Sequence, residues 1–322
     1  MALSKFLDPK NDFAFKRIFG TEKNQDILID FINAVVGFGA DERIESVSFL
    51  KTSQDPELAY KKQSLVDVLC TDQHGRQYII EMQVARTTGF EKRAQYYAAK
   101  AYAKQLQQGE GYDKLKAIIF VAIVDFVMFP DKVAYQSNHY LLDDKTYSRD
   151  LRDFSFTFLE LPKFNKSIDA LENIIERWTY FFKHAEETKE QDIERVAGID
   201  YAITRAYEEL NRYYWTDIEL NTYEKEEKRE RDEQAVLSAK LEDAKKEGKT
   251  EGLAEGISKG LAEGISKGLV EGLSKGMLEE QRKIAKNLLL ESTDLDLIAR
   301  VTQLSISELK RLQAQRQEPL LP

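Results

Sequence analysis

Two strand-like runs joined by a turn constrain this chain most, because each run sets an acidic residue among apolar ones. The first is Ser64-Leu65-Val66-Asp67-Val68-Leu69-Cys70, and the second is Gln77-Tyr78-Ile79-Ile80-Glu81-Met82-Gln83-Val84. Thr71-Asp72-Gln73-His74-Gly75-Arg76 between them is polar and carries a glycine, which signals a turn. A hairpin centred near His74 sets Asp67 opposite Glu81. Side chains alternate along a strand, so Glu81 and Gln83 share a face. Like charges placed opposite each other destabilise a sheet. They are tolerated if one carboxyl is protonated, if basic groups surround the pair, or if a cation lies between them. The plain alternative is that both carboxylates project into solvent. Apolar neighbours weigh against it: Val66, Val68, Ile80 and Met82 lie on one face, with Leu65, Leu69 and Ile79 on the other. Burying a carboxylate between two apolar faces is expensive without a compensating role.

Periodicity places helices and strands around this pair. Asn11 or Asp12 can cap a helix over 13–19. Ile27, Leu28, Phe31, Ile32 and Val35 form one face of a second helix over 24–36, which Gly37 is placed to end. Strands are predicted at 44–50, 64–71 and 77–84, then a helix over about 88–108 closed by Gly109. The β-branched, apolar run 115–126 reads as a central strand. Weaker strands are predicted at 139–142 and 154–159. The order helix, three strands, helix, strand gives an α/β domain ending near Pro162.

Residues 167–244 read as helical, with aromatic clusters at Trp178, Tyr180, Phe181 and Phe182 and at Tyr213, Tyr214 and Trp215. The charged stretch 223–232 reads as a solvated helix with many ion pairs. Glycines then recur every four residues from Gly248 to Gly276, and a bulky apolar residue follows most of them. Each glycine disfavours an isolated helix by about 1 kcal/mol relative to alanine. The repeat is therefore either a flexible tether or a helix that orders in an oligomer. A helix over 279–290 and a pair over 294–301 and 306–313 close the chain. Ser305 and Glu308 have capping-box spacing. The pair has the size of a helix-turn-helix, but a helical hairpin for self-association is the favoured reading, because no base-reading residues are evident. The expected divisions are 1–165, 166–244, 245–278 and 279–318.

Composition removes several classes of function. The apolar share of 42% is enough for a core. The sole cysteine, Cys70, excludes an intramolecular disulfide and fits a small buried strand residue in a reducing compartment. The start lacks the apolar core of a signal peptide. The longest apolar stretch, 117–129, is too short to cross a bilayer, so a cytoplasmic location with no membrane partner is expected. The net charge of −9 argues against a bulk electrostatic DNA binder. Only −2 of it lies before residue 163, which leaves room for a local basic patch. His74, His139 and His184 are scattered, so no zinc-type site assembles. Neither a Ser-His-Asp spacing nor a Walker A sequence occurs. A small cluster of oxygen ligands suits Mg²⁺ or Mn²⁺. Metal-assisted hydrolysis of a phosphodiester is the reaction class these parts fit best.

Asp67 followed by Glu81-Met82-Gln83 resembles the PD-(D/E)XK nuclease signature. More narrowly, the chain resembles the recombination-promoting nuclease and transposase family. The likeness also lies in Asn11-Asp12-Phe13-Ala14-Phe15-Lys16-Arg17-Ile18-Phe19-Gly20, Lys92-Arg93-Ala94-Gln95-Tyr96-Tyr97, Gln108-Gly109-Glu110-Gly111-Tyr112 and Leu159-Glu160-Leu161-Pro162-Lys163. It covers about the first 165 residues, and the glycine repeat and short helical tail are similar to what members carry. The resemblance implies a restriction-endonuclease-like αβββαβ core with a helical C-terminal extension. It implies a metal-dependent DNA endonuclease linked to transposition or recombination, using Mg²⁺ or Mn²⁺. Asp67 and Glu81 would be metal ligands, with the Met82 carbonyl assisting.

In the same frame Gln83 occupies the catalytic position at which the wider superfamily has lysine. A neutral amide orients water but supplies no positive charge. Arg93, Tyr97, Lys100 and Lys104 have the spacing of one helix face, so Arg93 or Lys100 is expected at the scissile phosphate and Lys16 at the DNA backbone. A solvated basic stripe is the alternative. The alternative function is a catalytically weak or inactive DNA-binding or assembly protein on a degenerate nuclease fold. On either reading the glycine repeat is the expected route to a homo-oligomer.

Overall fold

A computed structural model describes residues 4–51, 53–54, 64–291 and 294–315. It divides into two compact units, 1–233 and 234–322. In the first, α1 (Asp12–Phe19) starts at Asn11, whose side-chain oxygen accepts from the N–H groups of Phe13 and Ala14. α2 (Gln25–Val36) ends at Gly37, whose φ of +69° is open to glycine. The strands are β1 (Val47–Phe49), β2 (Ser53–Gln54), β3 (Ser64–Leu65), β4 (Val68–Asp72), β5 (Gln77–Gln83), β6 (Ile118–Val124), β7 (Gln136–Tyr140) and β8 (Phe154–Glu160). α3 (Phe90–Ala103) lies between β5 and β6. Then come α4 (Ile174–His184), α5 (Ile193–Ala197), α6 (Tyr201–Leu210) and α7 (Asp217–Glu291).

Six strands form one mixed sheet in the order β1-β4-β5-β6-β8-β7, and β2 pairs with β3 separately. β5, β6 and β8 run parallel to their neighbours at the centre, while β1, β4 and β7 pair antiparallel. The central β6 is buried along its whole length, as its apolar run required. On one face Tyr78, Ile80, Met82, Val121 and Ile123 pack with α1, α2, α4 and α6 around Phe15, Phe31, Trp178, Phe182 and Tyr207. On the other face Leu69, Ile79, Phe120 and Ala122 meet α3 through Phe90, Ala94, Ala98 and Ala101. Alanine at three of those positions lets the helix lie close on the sheet.

Residues 166–223 supply Trp178, Phe181, Phe182, Tyr207, Trp215 and Tyr223 to the same core as α1 and α2. The core thus runs through residue 165, where the sequence suggested a division. Helix periodicity alone does not say which core an amphipathic helix joins.

Three local departures have identifiable causes. The run predicted as one strand over 64–71 breaks at Val66-Asp67, because the Asp67 carboxylate takes the bond that continued pairing would give to Val66. The helix predicted to Gln108 ends at Ala103, with Lys104 as its C-cap. There the Gln105 side chain pairs with the backbone of Lys116, at 3.0 and 2.8 Å, and ties the chain to the start of β6. The strand predicted at 139–142 lies instead at Gln136–Tyr140, paired with β8. Cys70 is buried, and burial followed by the nearby Asp72 pushes its thiol up to about 12, as a structural cysteine requires.

The glycine repeat lies within α7, continuous helix from Asp217 to Glu291. A methyl group added at any of the eight repeat glycines would meet nothing within 4 Å. In the second unit, α8 (Leu295–Thr302) and α9 (Ile306–Ala314) pack on the end of α7 around Ala285, Leu289, Ile298, Leu304 and Leu309. Ser305 caps α9 by accepting from the Glu308 N–H, and Glu308 pairs with Arg282 at 2.6 Å. The last residues of the expected tail, 316–318, lie outside the described residues. Among the described residues no helix is long and apolar enough to cross a membrane.

Candidate active site

The hairpin register sets the site. Val68 pairs with Ile80 and Leu69 with Ile79, so the residues opposite one another are those the turn at His74 implied. Gly75 takes φ +83° in that turn, and Asp72 fastens it by accepting from the N–H groups of His74 and Arg76 and from the Arg76 side chain. Asp67 lies one residue before β4. Its Oδ2 accepts from the Met82 N–H at 2.9 Å. Within a strand, the N–H and C=O of one residue point to the same side, so the Met82 carbonyl also faces Asp67.

Glu81 lies mid-sheet, between β4 and its partner Ala122 on β6, and is only 4% exposed. Its Oε1 is buried with no hydrogen-bond partner. A buried acceptor left unpaired is costly, and native structures seldom keep one without a reason. Burial raises the Glu81 carboxyl well above its usual value, and the adjacent Asp67 raises it further. Arg93, the Asp67 N–H and Lys16 offset part of this. Asp67 is pushed up to about 6, by burial first and by Asp12 as well, against the Met82 N–H, Lys16 and Arg93.

Two cations reach the pair from different elements. Lys16 of α1 lies 3.7 Å from Asp67 Oδ1 and 2.7 Å from Asp12 one turn earlier. Burial lowers its proton affinity, but Asp12, Asp67 and Glu81 outweigh burial and hold it above the usual lysine value. Arg93, one turn into α3, donates to Gln83 Oε1 and lies with its guanidinium carbon 4.8 Å from the Phe90 ring centroid. Gln83 Nε2 donates to the Ala85 carbonyl at 3.1 Å. Lys100, two turns further along α3, has its ammonium 5.9 Å from the Tyr96 ring centroid. A cleft of about 510 Å³, lined in part by Gly89, Lys92, Arg93, Tyr96 and Tyr97, lies on the α3 side of the cluster.

Asp12 and Tyr97 also belong here. Burial raises the Tyr97 hydroxyl, with Arg93 opposing and Glu81 and Asp67 adding to it. The sequence presented Asp12 as a helix cap. Its i,i+4 spacing to Lys16 was the available signal, and a helix-surface ion pair has the same spacing. The Glu160 and Lys163 of the Leu159–Lys163 motif sit elsewhere: buried Glu160 accepts from the Met128 and Phe129 N–H groups and pairs with Lys163 at 2.7 Å, which closes a loop.

Among the described residues no three His, Cys, Asp or Glu side chains gather as a metal cage. Two carboxylates and a carbonyl suit an ion such as Mg²⁺, which keeps several waters and borrows ligands from a phosphate. The orphaned Glu81 oxygen fits such a group. The sequence profile of the PD-(D/E)XK nuclease family transposases matches residues 9–240. The chain belongs to this family. Comparison with curated proteins and with solved structures finds no match. For a PD-(D/E)XK nuclease family transposase, the six-stranded mixed sheet with flanking helices is a consistent frame, and the matched segment runs through α6 into α7.

Proposed function

We propose that this PD-(D/E)XK nuclease family transposase is a divalent-metal-dependent DNA endonuclease that hydrolyses phosphodiester bonds during transposition or recombination. The observation that carries the reading is the buried, unpartnered Glu81 oxygen beside the Asp67 carboxylate. Asp67 and Glu81 would hold one Mg²⁺ or Mn²⁺, with the Met82 carbonyl on the same side. When bound, the ion lowers the proton affinity of a water and offsets charge building on the phosphate. Arg93 neutralises a non-bridging phosphate oxygen, Gln83 holds Arg93 in place through its amide oxygen, and Lys16 steadies Asp67 and contacts the DNA backbone. Lys100 binds DNA further along α3. In this arrangement the positive charge that the superfamily lysine would supply comes from the helix.

A second reading is a catalytically weak DNA-binding or assembly protein. The engagement of Gln83 at both ends of its amide favours it, since the amide is already held by Arg93 and the Ala85 carbonyl and one donor and one acceptor are left for water. Supercoiled plasmid with Mg²⁺ or Mn²⁺ separates the two. The endonuclease nicks it, and Asp67→Ala or Glu81→Ala abolishes nicking while DNA binding remains. Wild-type protein that shifts plasmid yet never nicks it supports the second reading. Full activity in Arg93→Ala would remove the arginine from the mechanism. On either reading, the repeat face of α7 associates with a second copy of the chain.

A further inference from the structure

The repeat in α7 has a longer period than its glycines show. The unit Gly-Leu-Ala-Glu-Gly-Ile-Ser-Lys occupies 252–259 and 260–267, and 268–275 repeats it with Val270 and Leu273 as the changes. Along the helix this makes an apolar column, a glycine column and a charged column. The apolar column runs from Leu253 to Met277 and is exposed throughout. The charged column alternates in sign: Glu255, Lys259, Glu263, Lys267, Glu271, Lys275. At about 100° per residue, the glycine column lies between the other two, about 100° from the apolar one and about 60° from the charged one.

Alternating charges four residues apart also suit ion pairs within one helix. Among the described residues Glu255 and Lys259 make such a pair, at 2.6 Å, whereas Glu263–Lys267 and Glu271–Lys275 do not. Internal ion pairs leave the apolar column unexplained. α8 and α9 do not account for it, because they pack on Ala285 and Leu289, beyond its end.

We propose that the repeat pairs with the same segment of a second copy, antiparallel and in one register, about a two-fold axis at Ile265. Glycine lets two backbones approach closely, so the contact follows the glycine column and the apolar and charged columns flank it. The two-fold axis of an antiparallel pair does not exchange the front and back of the contact, so like flanks meet. A parallel pair would set each apolar column against the partner's charges. The axis at Ile265 brings Leu261 to Leu269, Ile257 to Leu273 and Leu253 to Met277. It also sets Glu255 opposite Lys275, Lys259 opposite Glu271 and Glu263 opposite Lys267. Sliding one helix by four residues would oppose like charges throughout. Sliding by eight would set Leu273 against Lys249 or Ile257 against Gln281. The alternation stops at Glu251, which would meet Glu279, so the pairing spans 253–277. A period of four exceeds 3.6, so the columns drift by about 40° per step and the pair coils right-handed. Such a contact is self-complementary and closes at two copies. It rests on the self-association of α7 stated above and on neither reading of the nuclease site.

Single cysteines in the full-length protein test the orientation, with the wild type, whose sole thiol Cys70 is buried, as the blank. Under copper-phenanthroline oxidation, Ile265→Cys should form a covalent dimer. Leu253→Cys should not, because its two copies would lie about 36 Å apart along the pair. Co-expressed Leu253→Cys and Met277→Cys chains should cross-link to each other. The charged flank is tested by ultracentrifugation. The triple variant Glu255→Lys, Glu263→Lys, Glu271→Lys should sediment as a monomer, and so should Lys259→Glu, Lys267→Glu, Lys275→Glu. An equimolar mixture of the two should recover the dimer mass, which also shows that both variants are folded. Self-cross-linking of Leu253→Cys, or a dimeric Ile265→Cys protein that never cross-links, overturns the antiparallel register alone. Dimers of both triple variants remove the charged flank from the contact and overturn it too. A monomeric wild type overturns the pairing together with the self-association and leaves both nuclease readings as they stand.

Discussion

Two carboxylates buried side by side hold protons more tightly than either would in water, and that gives Asp67 and Glu81 a measurable signature. Both have folded-state proton affinities raised above the ordinary carboxylate range. The folded protein therefore binds protons that the unfolded chain has already released. Without metal, the associated stability is present at low pH and is lost as pH rises from about 4 through 6 and beyond, on the order of 2 kcal/mol for Asp67. Asp67→Asn should flatten this fall in EDTA melts. Divalent metal competes with those protons, so the Tm increase on adding Mn²⁺ should be larger at pH 8 than at pH 6 and absent in Asp67→Asn and Glu81→Gln. Gln83 gives a second prediction. Arg93 can only donate, so Gln83 Oε1 must face it. Gln83→Lys sets an ammonium against that guanidinium and should lower metal-dependent nicking about tenfold or more. Restored or increased nicking would assign the water-orienting role to this position.

The elements explain why these residues meet. β5 could be read as a strand and its turn located from polar residues and Gly75, which fixed the register. The break before β4 could not be read, because it depends on a side-chain oxygen replacing a backbone one. α7 poses the opposite problem. Its glycines are open on all sides, and Leu253, Ile257, Leu261, Ile265, Leu269, Leu273 and Met277 each remain more than 60% exposed. In an isolated helix, Gly260→Ala and Gly264→Ala should each favour the helix by about 1 kcal/mol. Across the proposed helix contact, the added methyls hold the partner backbone away. The paired variant should therefore raise helicity by circular dichroism while lowering the apparent mass in analytical ultracentrifugation. A gain in helicity with unchanged mass would place self-association elsewhere.

At the scale of the molecule, the question is what completes the core that supports the site. The inner faces of α1 and α2 are closed by Trp178, Phe181, Phe182 and Tyr207, and Asp30 accepts from the Trp178 indole N–H at 2.7 Å. A protein ending at residue 165 should lack a cooperative thermal transition, whereas one ending at residue 233 should keep it. Trp178→Ala in the full chain should cost about 3–5 kcal/mol in chemical denaturation. A cooperative melt from the shorter protein would show that the α4–α6 helices are dispensable. The family profile extends through these helices.

Alternation of polar and apolar residues, the turn at Gly75 and the caps at Asn11, Gly37 and Ser305 are local signals. From them the sequence determined helices α1, α2 and α9, the pairing of β4 with β5 and the meeting of Asp67 with Glu81. Only the tertiary structure decided which distant groups surround that pair. It brought Lys16 and Asp12 from α1 and turned Arg93 toward Gln83 instead of leaving it on a solvated stripe. It also joined residues 166–223 to the first core. Periodicity states that a residue has an inward side; it does not state what lies there, because burial is a property of contacts between segments far apart in the chain.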